Sequence, residues 1–225
     1  HGVSVQRLNA LEQREIEYWR DSEHENPESN SVHNLVNKMF DLGILLNLLQ
    51  TYEHEFTKIR SSRVLELGGG QGWGSCLVKR LFSDTHVTLT DISPFAVQSA
   101  KKWEQLLDVT IDKKYACTSY ETQEDPDSID VVFCFASAHH FHAHRRTLAE
   151  IRRILRPGGA AIYFFEPTCS RLLHPFAYRR VNRIRPAVEE DVLVRKDILR
   201  IAREVGLDGH ADFYPSSERR SVSAM

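Results

Sequence analysis

Residues 64–74 read Val-Leu-Glu-Leu-Gly-Gly-Gly-Gln-Gly-Trp-Gly, an apolar run that holds one acid and passes into a turn of five glycines. Val64, Leu65 and Leu67 have the character of a buried parallel strand. The glycines after it can take positive φ and bring backbone against a ligand with no Cβ in the way. Trp73, Cys76, Leu77 and Leu81 then recur at helical spacing, so the turn lies between a strand and a helix N-terminus. Nucleotide-like cofactors bind at such a junction.

A dinucleotide site needs Gly-x-Gly-x-x-Gly. Counted from Gly68, the last position is Trp73; counted from Gly70, Ser75 must substitute. There is also no Tyr-x-x-x-Lys pair, so a nicotinamide oxidoreductase is the weaker reading. The acid two residues before the first glycine suits a cofactor carrying an ammonium and a sulfonium better than a pyrophosphate. Further on, His86–Asp91 reads as a second strand with an acid at its tip, followed by Ser93-Pro94, an N-cap with proline at the first helical position. Asp130–Ala136 is a buried strand opened by an acid, and Leu155-Arg-Pro-Gly-Gly159 is a turn before the strand Ala160–Phe165.

Together Glu66-x-Gly68-x-Gly70-x-Gly72, Asp91, the Asp-Val-Val strand and the Leu-Arg-Pro-Gly-Gly turn, in this order over residues 61–165, resemble the class I, Rossmann-like S-adenosylmethionine-dependent methyltransferases that act on small molecules. The resemblance implies an α/β, doubly wound, mostly parallel sheet with an N-terminal helical cap over residues 1–60 and a cofactor domain over 61–225. It also implies S-adenosylmethionine as cofactor and S-adenosylhomocysteine as product. By this resemblance Glu66, Gly68, Gly69, Gly70, Gln71 and Gly72 hold the amino-acid end, and Asp91 accepts the ribose hydroxyls. Ile92 packs on adenine, Thr118, Ser119 or Tyr120 meets its edge in place of the usual acid, and Phe135 and Ala136 flank the methionine part. A binding module that kept the fold and lost the chemistry is the third reading; retention of Glu66, the glycines and Asp91 speaks against it.

Methyl transfer to a hydroxyl needs a base, whereas a neutral amine needs little more than alignment. His139 and His140, in Ser137–His144 at the tip of the fourth strand, are the candidates. His142 and His144 read as the polar lead-in to a helix over Arg145–Leu155. No cysteine or carboxylate stands at ligand spacing from these histidines, so no metal is expected.

The chain has 225 residues, 41% of them hydrophobic, enough for one substantial core. Its formal charge of −2 argues against a general polyanion surface, so no nucleic-acid partner is expected. Cys76, Cys117, Cys134 and Cys169 fit neither a zinc spacing nor a disulfide framework, which points to a reducing cytoplasm. No apolar stretch approaches the ~20 residues of a membrane span. Residues 6–20 and 33–50 read as helices, the second with Leu35, Met39, Leu42, Leu46 and Leu49 on one stripe, joined by a polar loop over 21–31. By the resemblance these front helices shape the acceptor pocket, with Trp19 facing it; the competing reading is a helix pair that only shields the sheet. Pro167–Pro186 carries Arg171, Arg179, Arg180, Arg183 and Arg185 and no acid. Arg179 and Arg183 are therefore expected to meet an anionic acceptor; the competing reading is a solvated basic face balanced by Glu189, Glu190 and Asp191. After a helix over Lys196–Val205, His210–Tyr214 is a strand candidate. The resemblance implies a closing antiparallel pair, sixth and seventh, of which only the sixth has a plausible sequence, so the expectation is that the chain is truncated or its sheet edge is completed by another element.

Overall fold

The structure, a computed structural model, describes residues 8–29, 31–184 and 188–213. Three helices come first: α1 (Ala10–Asp21), α2 (Val32–Thr51) and α3 (Glu53–Thr57). Strands and helices then alternate through β1 (Arg63–Leu67), α4 (Trp73–Leu81), β2 (His86–Asp91), α5 (Pro94–Gln98), α6 (Ala100–Leu107), β3 (Lys113–Ala116) and β4 (Ile129–Phe135). A 3₁₀ turn (Ala138–His140), α7 (His144–Ile154) and β5 (Leu155–Phe164) follow. The last elements are β6 (Thr168–Cys169), α8 (His174–Ile184), β7 (Leu193–Val194) and α9 (Arg195–Glu204).

The five long strands form one parallel sheet in the order β3-β2-β1-β4-β5. Strand order reverses between β1 and β4, and the crevice at their C-terminal ends is where an open α/β sheet binds its ligand. Alternation along the central strands feeds two cores. Val64, Val131 and Phe133 join Leu45, Leu48, Leu49, Phe56 and Val78 on one face, while Leu65, Leu67, Val132 and Cys134 join Ile151, Ile154 and Leu155 on the other. Asp130 anchors the strand bases: it accepts from the Arg63 amide at 2.7 Å and pairs with Arg156 at 3.1 Å.

Three local expectations change. On α2 the buried apolar residues are Ile44, Leu45, Leu48 and Leu49; of the expected stripe, Leu49 is among them and Leu42 and Leu46 pack partly buried against the core, whereas Leu35 and Met39 are exposed because only the C-terminal half of α2 belongs to the core. The Leu155–Gly159 turn is absorbed into β5 as a bulge, since Ile129 faces Leu155 but Val131 already faces Ala160. His210–Phe213 forms no strand; all four residues are exposed, so no side chain there has a sheet face to bury, and Tyr214 lies outside the described residues. The remaining pairing is the short parallel pair β6–β7.

Candidate active site

The glycine turn is built around a buried carboxyl. Glu66, in β1, lies beneath it and accepts a hydrogen bond from Ser75 Oγ at 2.5 Å. A Cβ on Gly69 or Gly74 would stand 2.8 or 2.5 Å from that carboxyl, so the glycines make its room. Gly72, the N-cap of α4, has φ +77°, and its own Cβ would meet Leu89 at 2.6 Å. Burial pushes the Glu66 carboxyl up to about 8, against a smaller lowering by Ser75. Asp91, at the β2 tip, accepts from the Gly70 and Ser93 amides at 2.9 and 2.8 Å. Burial raises it to about 6, with those two amides pulling it back. Asp91 therefore fixes the turn, and each oxygen keeps a second lone pair for a ligand.

Over this turn opens a cavity enclosing about 1120 Å³ with its mouth included, the order of size of small-molecule sites. It brings together Glu66, Gly68, Gly69, Gly70, Gln71, Asp91, Ile92, Thr118, Ser119, Phe135, Ala136, His140 and Trp19. Trp19 comes from α1 and sits above Gly70, whose φ is +53° and whose Cβ would lie 3.1 Å from the indole. Gln71 ties the α1–α2 loop to the turn, donating to the Glu25 carbonyl at 3.1 Å and accepting from Trp103 at 3.2 Å. Of the three hydroxyls after β3, Ser119 is taken by Thr147 at 2.8 Å and Tyr120 by Glu12 at 2.7 Å. Thr118 Oγ1 is buried without a partner and stands at the cavity wall. An unsatisfied buried oxygen is costly unless a ligand meets it, so Thr118 fits the adenine-edge role best of the three. Ala136, at the β4 tip, is a non-glycine at φ +46°, and its amide donates to the Phe164 carbonyl at 2.9 Å. Such strain is typical of functional turns.

The two candidate bases have different surroundings. His139 is buried and does not line the cavity; its Nδ1 is 2.9 Å from Glu166, and its Nε2 lies 4.0 Å from Glu190. Glu166 also accepts from the amides of Ser137 and Ala138 at 2.8 Å and of His139 at 3.2 Å, so it is the anchor of the loop. His140 faces the cavity with Nδ1 3.4 Å from Glu15 of α1. Burial by itself would lower its pKa, but Glu15, with Glu190 and Glu166 behind, raises it above the ordinary imidazole value.

Other expected residues lie outside the cavity lining. Gly72 shapes the turn from behind without lining the cavity, and Arg179 and Arg183 are exposed on α8, outside it. The charged side chains that do line it beyond the cofactor acids are Glu12, Glu15, Asp41 and Lys38. The expectation of no metal rested on spacing, and folding alters its premise. Glu190, remote in sequence, comes within 4.8 Å of both His139 and His140, forming a three-group cluster that would have to contract to reach the ~2 Å bonds of a metal site. Of the acids the sequence reading passed over, Glu166 carried a signal, since it follows an apolar strand as Asp91 does. Glu15 and Glu190 carried none, because only long-range packing joins them to the histidines.

Residues 65–163 match the family model described as a methyltransferase domain. The phthiotriol/phenolphthiotriol dimycocerosates methyltransferase of Mycobacterium leprae is 29% identical over 117 residues, which are 51% of this chain and 42% of that protein. The chain thus spans less than half the length of this curated relative. Among solved structures, geranyl diphosphate C-methyltransferase from Streptomyces coelicolor, in complex with Mg2+, geranyl diphosphate and S-adenosylhomocysteine, superposes with a TM-score of 0.61 at 15% identity, covering 95% of this chain and 88% of that one. Haemonchus contortus phosphoethanolamine N-methyltransferase 2 with S-adenosylmethionine gives 0.55 at 20% identity, covering 90% of this chain and 42% of that one. A parallel sheet reversing at β1/β4, an acid-and-glycine turn and a second acid at the β2 tip make up the fold of the class I, Rossmann-like methyltransferases. Residues 65–163 thus carry a methyltransferase domain, and S-adenosylmethionine is the cofactor that goes with such a domain.

Proposed function

We propose that this protein transfers a methyl group from S-adenosylmethionine to an oxygen of a small-molecule acceptor. The observation that carries the reading is His140, paired with Glu15, on the wall of the cavity that also holds Glu66 and Asp91. When bound, the cofactor supplies an electrophilic methyl on a sulfonium. Glu66 would serve its amino-acid end, Asp91 its ribose, and Thr118 its adenine edge. His140 takes the proton of the acceptor hydroxyl as the new bond forms, and the Glu15 carboxylate stabilises the resulting imidazolium. Trp19 and the rest of α1 hold the acceptor and exclude water, which supplies alignment.

The lining also bears on the acceptor's charge. Beyond the acids assigned to the cofactor, Glu12, Glu15 and Asp41 line the cavity with Lys38, His140 and His142, so we read the acceptor as neutral or cationic; the arginines expected to bind an anion lie elsewhere. Nitrogen is the second reading, supported by the same acidic lining. A saccharide, an envelope component or a secondary metabolite would suit, and the curated relative named above is itself a methyltransferase of phthiotriol dimycocerosates. Four free thiols agree with a cytoplasmic setting, and no helix among the described residues is long and apolar enough to cross a membrane.

Calorimetry tests the cofactor half: S-adenosylmethionine and S-adenosylhomocysteine bind and NAD does not. Asp91→Ala weakens that binding by roughly 1.5–3 kcal/mol, the scale of hydrogen bonds to a charged group. Unchanged affinity in a folded Asp91→Ala protein removes Asp91 from the site. Mass spectrometry of small molecules carried through purification then addresses the acceptor.

A further inference from the structure

The basic segment left unused by the cavity has an organised surface. Around α8, at about 100° per residue, Phe176, Arg179, Arg180, Arg183 and Ile184 fall within an arc of roughly 140°. All five are exposed, while His174, Ala177, Tyr178, Val181 and Asn182 occupy the opposite, half-buried side. The turn leading into the helix adds Leu172 and Leu173, so the face carries four large apolar side chains at 83%, 56%, 68% and 62% exposure (Leu172, Leu173, Phe176, Ile184). Exposed apolar groups at this density need a partner.

The arginines on the same face are not neutralised by the protein. Among the described residues, Arg179, Arg180 and Arg183 make no ion pair; Arg171 alone of the described basic set is held, by Asp197. The acids that follow in the sequence are engaged inward: Glu189 with Tyr178, Glu190 near His139, and Asp191 with His174 at 2.7 Å. Arg185 lies outside the described residues. α8 is also tied to the active-site loop, because Asn182 exchanges hydrogen bonds with the Glu190 backbone at 2.8 and 2.9 Å and the Asp191 amide donates to the His139 carbonyl at 2.9 Å.

We propose that the outer face of α8, with the Leu172-Leu173 turn, docks the protein on an anionic lipid surface. Leucine, phenylalanine and isoleucine side chains interleaved with arginines, with no acid among them, are what an interfacial helix presents: the apolar groups enter the headgroup boundary and the arginines meet the lipid phosphates. Only an anionic partner complements three uncompensated arginines, and only one with an apolar layer beneath its charge also takes up the four apolar side chains. The inference does not depend on the methyl-transfer reading.

Vesicle co-sedimentation of the full chain tests it, with equimolar phosphatidylglycerol and phosphatidylcholine against phosphatidylcholine alone. The protein should bind the anionic vesicles, release as salt rises, and leave the neutral ones in solution. The triple variant Arg179→Glu/Arg180→Glu/Arg183→Glu should lower the partition coefficient at least about tenfold, and Phe176→Ser should lower it with the charges intact. Because these side chains are exposed and make no ion pair among the described residues, circular dichroism and S-adenosylhomocysteine affinity should stay native in both variants. The proposal is overturned if the wild type ignores anionic vesicles at low salt, or if the triple variant binds them as well as wild type. It is equally overturned if the protein without lipid forms a dimer that Phe176→Ser dissolves, since a second copy then covers the face.

Discussion

Cofactor binding near neutral pH should expel a proton from Glu66. Burial raises that carboxyl to about 8 in the cofactor-free protein. At pH 7 it is then about 0.9 protonated, whereas Asp91, raised to about 6, is only about 0.1 protonated. If Glu66 faces the ammonium of the cofactor it must be ionised in the complex, so binding at pH 7 releases about one proton, nearly all of it from Glu66. Titration calorimetry in phosphate, HEPES and Tris reads this directly, as the slope of observed enthalpy against buffer ionisation enthalpy. Affinity should also climb by up to about tenfold per pH unit between pH 6 and 8. Glu66→Gln should abolish both effects. Zero proton exchange in the wild type, or the same exchange in Glu66→Gln, refutes the assignment. The same shift acts on stability. A carboxyl raised from 4.5 in the unfolded chain to about 8 in the folded one contributes stability that is complete below pH 4.5 and lost as pH rises through 8. The cofactor-free protein should therefore lose melting temperature over that range, and Glu66→Gln should lose less.

Two further outcomes concern the histidine loop. With a hydroxyl acceptor, His140→Ala should cost about 10²–10⁴ in turnover and leave cofactor affinity intact. The wild-type rate should rise with pH through the elevated His140 pKa, and Glu15→Gln, by removing the group that raises it, should move that rise to lower pH; an unmoved profile makes Glu15 structural. Chelation should leave turnover unchanged, with metal well below one equivalent per chain by elemental analysis. Stoichiometric zinc on His139, His140 and Glu190 would make His140 a ligand and end its assignment as the base.

What the sequence made legible was whatever rests on neighbours in the chain. The strand–turn–helix at residues 64–81, the acid at the tip of β2 and the buried β4 all follow from local apolar runs and their punctuation, and the structure has each in place. The full buried face of α2 followed only in part. Its leucines satisfy two overlapping helical stripes, and the choice between them is made by α4 and the sheet beneath, which bury Ile44, Leu45, Leu48 and Leu49. The C-terminal strand candidate failed for the converse reason: its alternation had no sheet face to meet.

The site divides along the same line. Glu66, the glycines, Asp91 and Thr118 reach the cavity through strands whose order the local pattern already implies. The groups that decide how the histidines behave come from α1 and from the segment before β7, 125 and 50 residues from His140 by number for Glu15 and Glu190. Their arrival separates two side chains that the sequence left equivalent. His139 is fixed between Glu166 and Glu190 inside the loop, away from the cavity, whereas His140 meets the cavity with a carboxylate from the cap helix at its back. On the proposed reading, the base gains its carboxylate partner only when α1 lies over the glycine turn. The contact of Trp19 with Gly70 and the hydrogen bond from Gln71 to Glu25 hold that helix and its following loop in place. Closure of α1 over a bound acceptor would bring water exclusion and proton acceptance together in one movement.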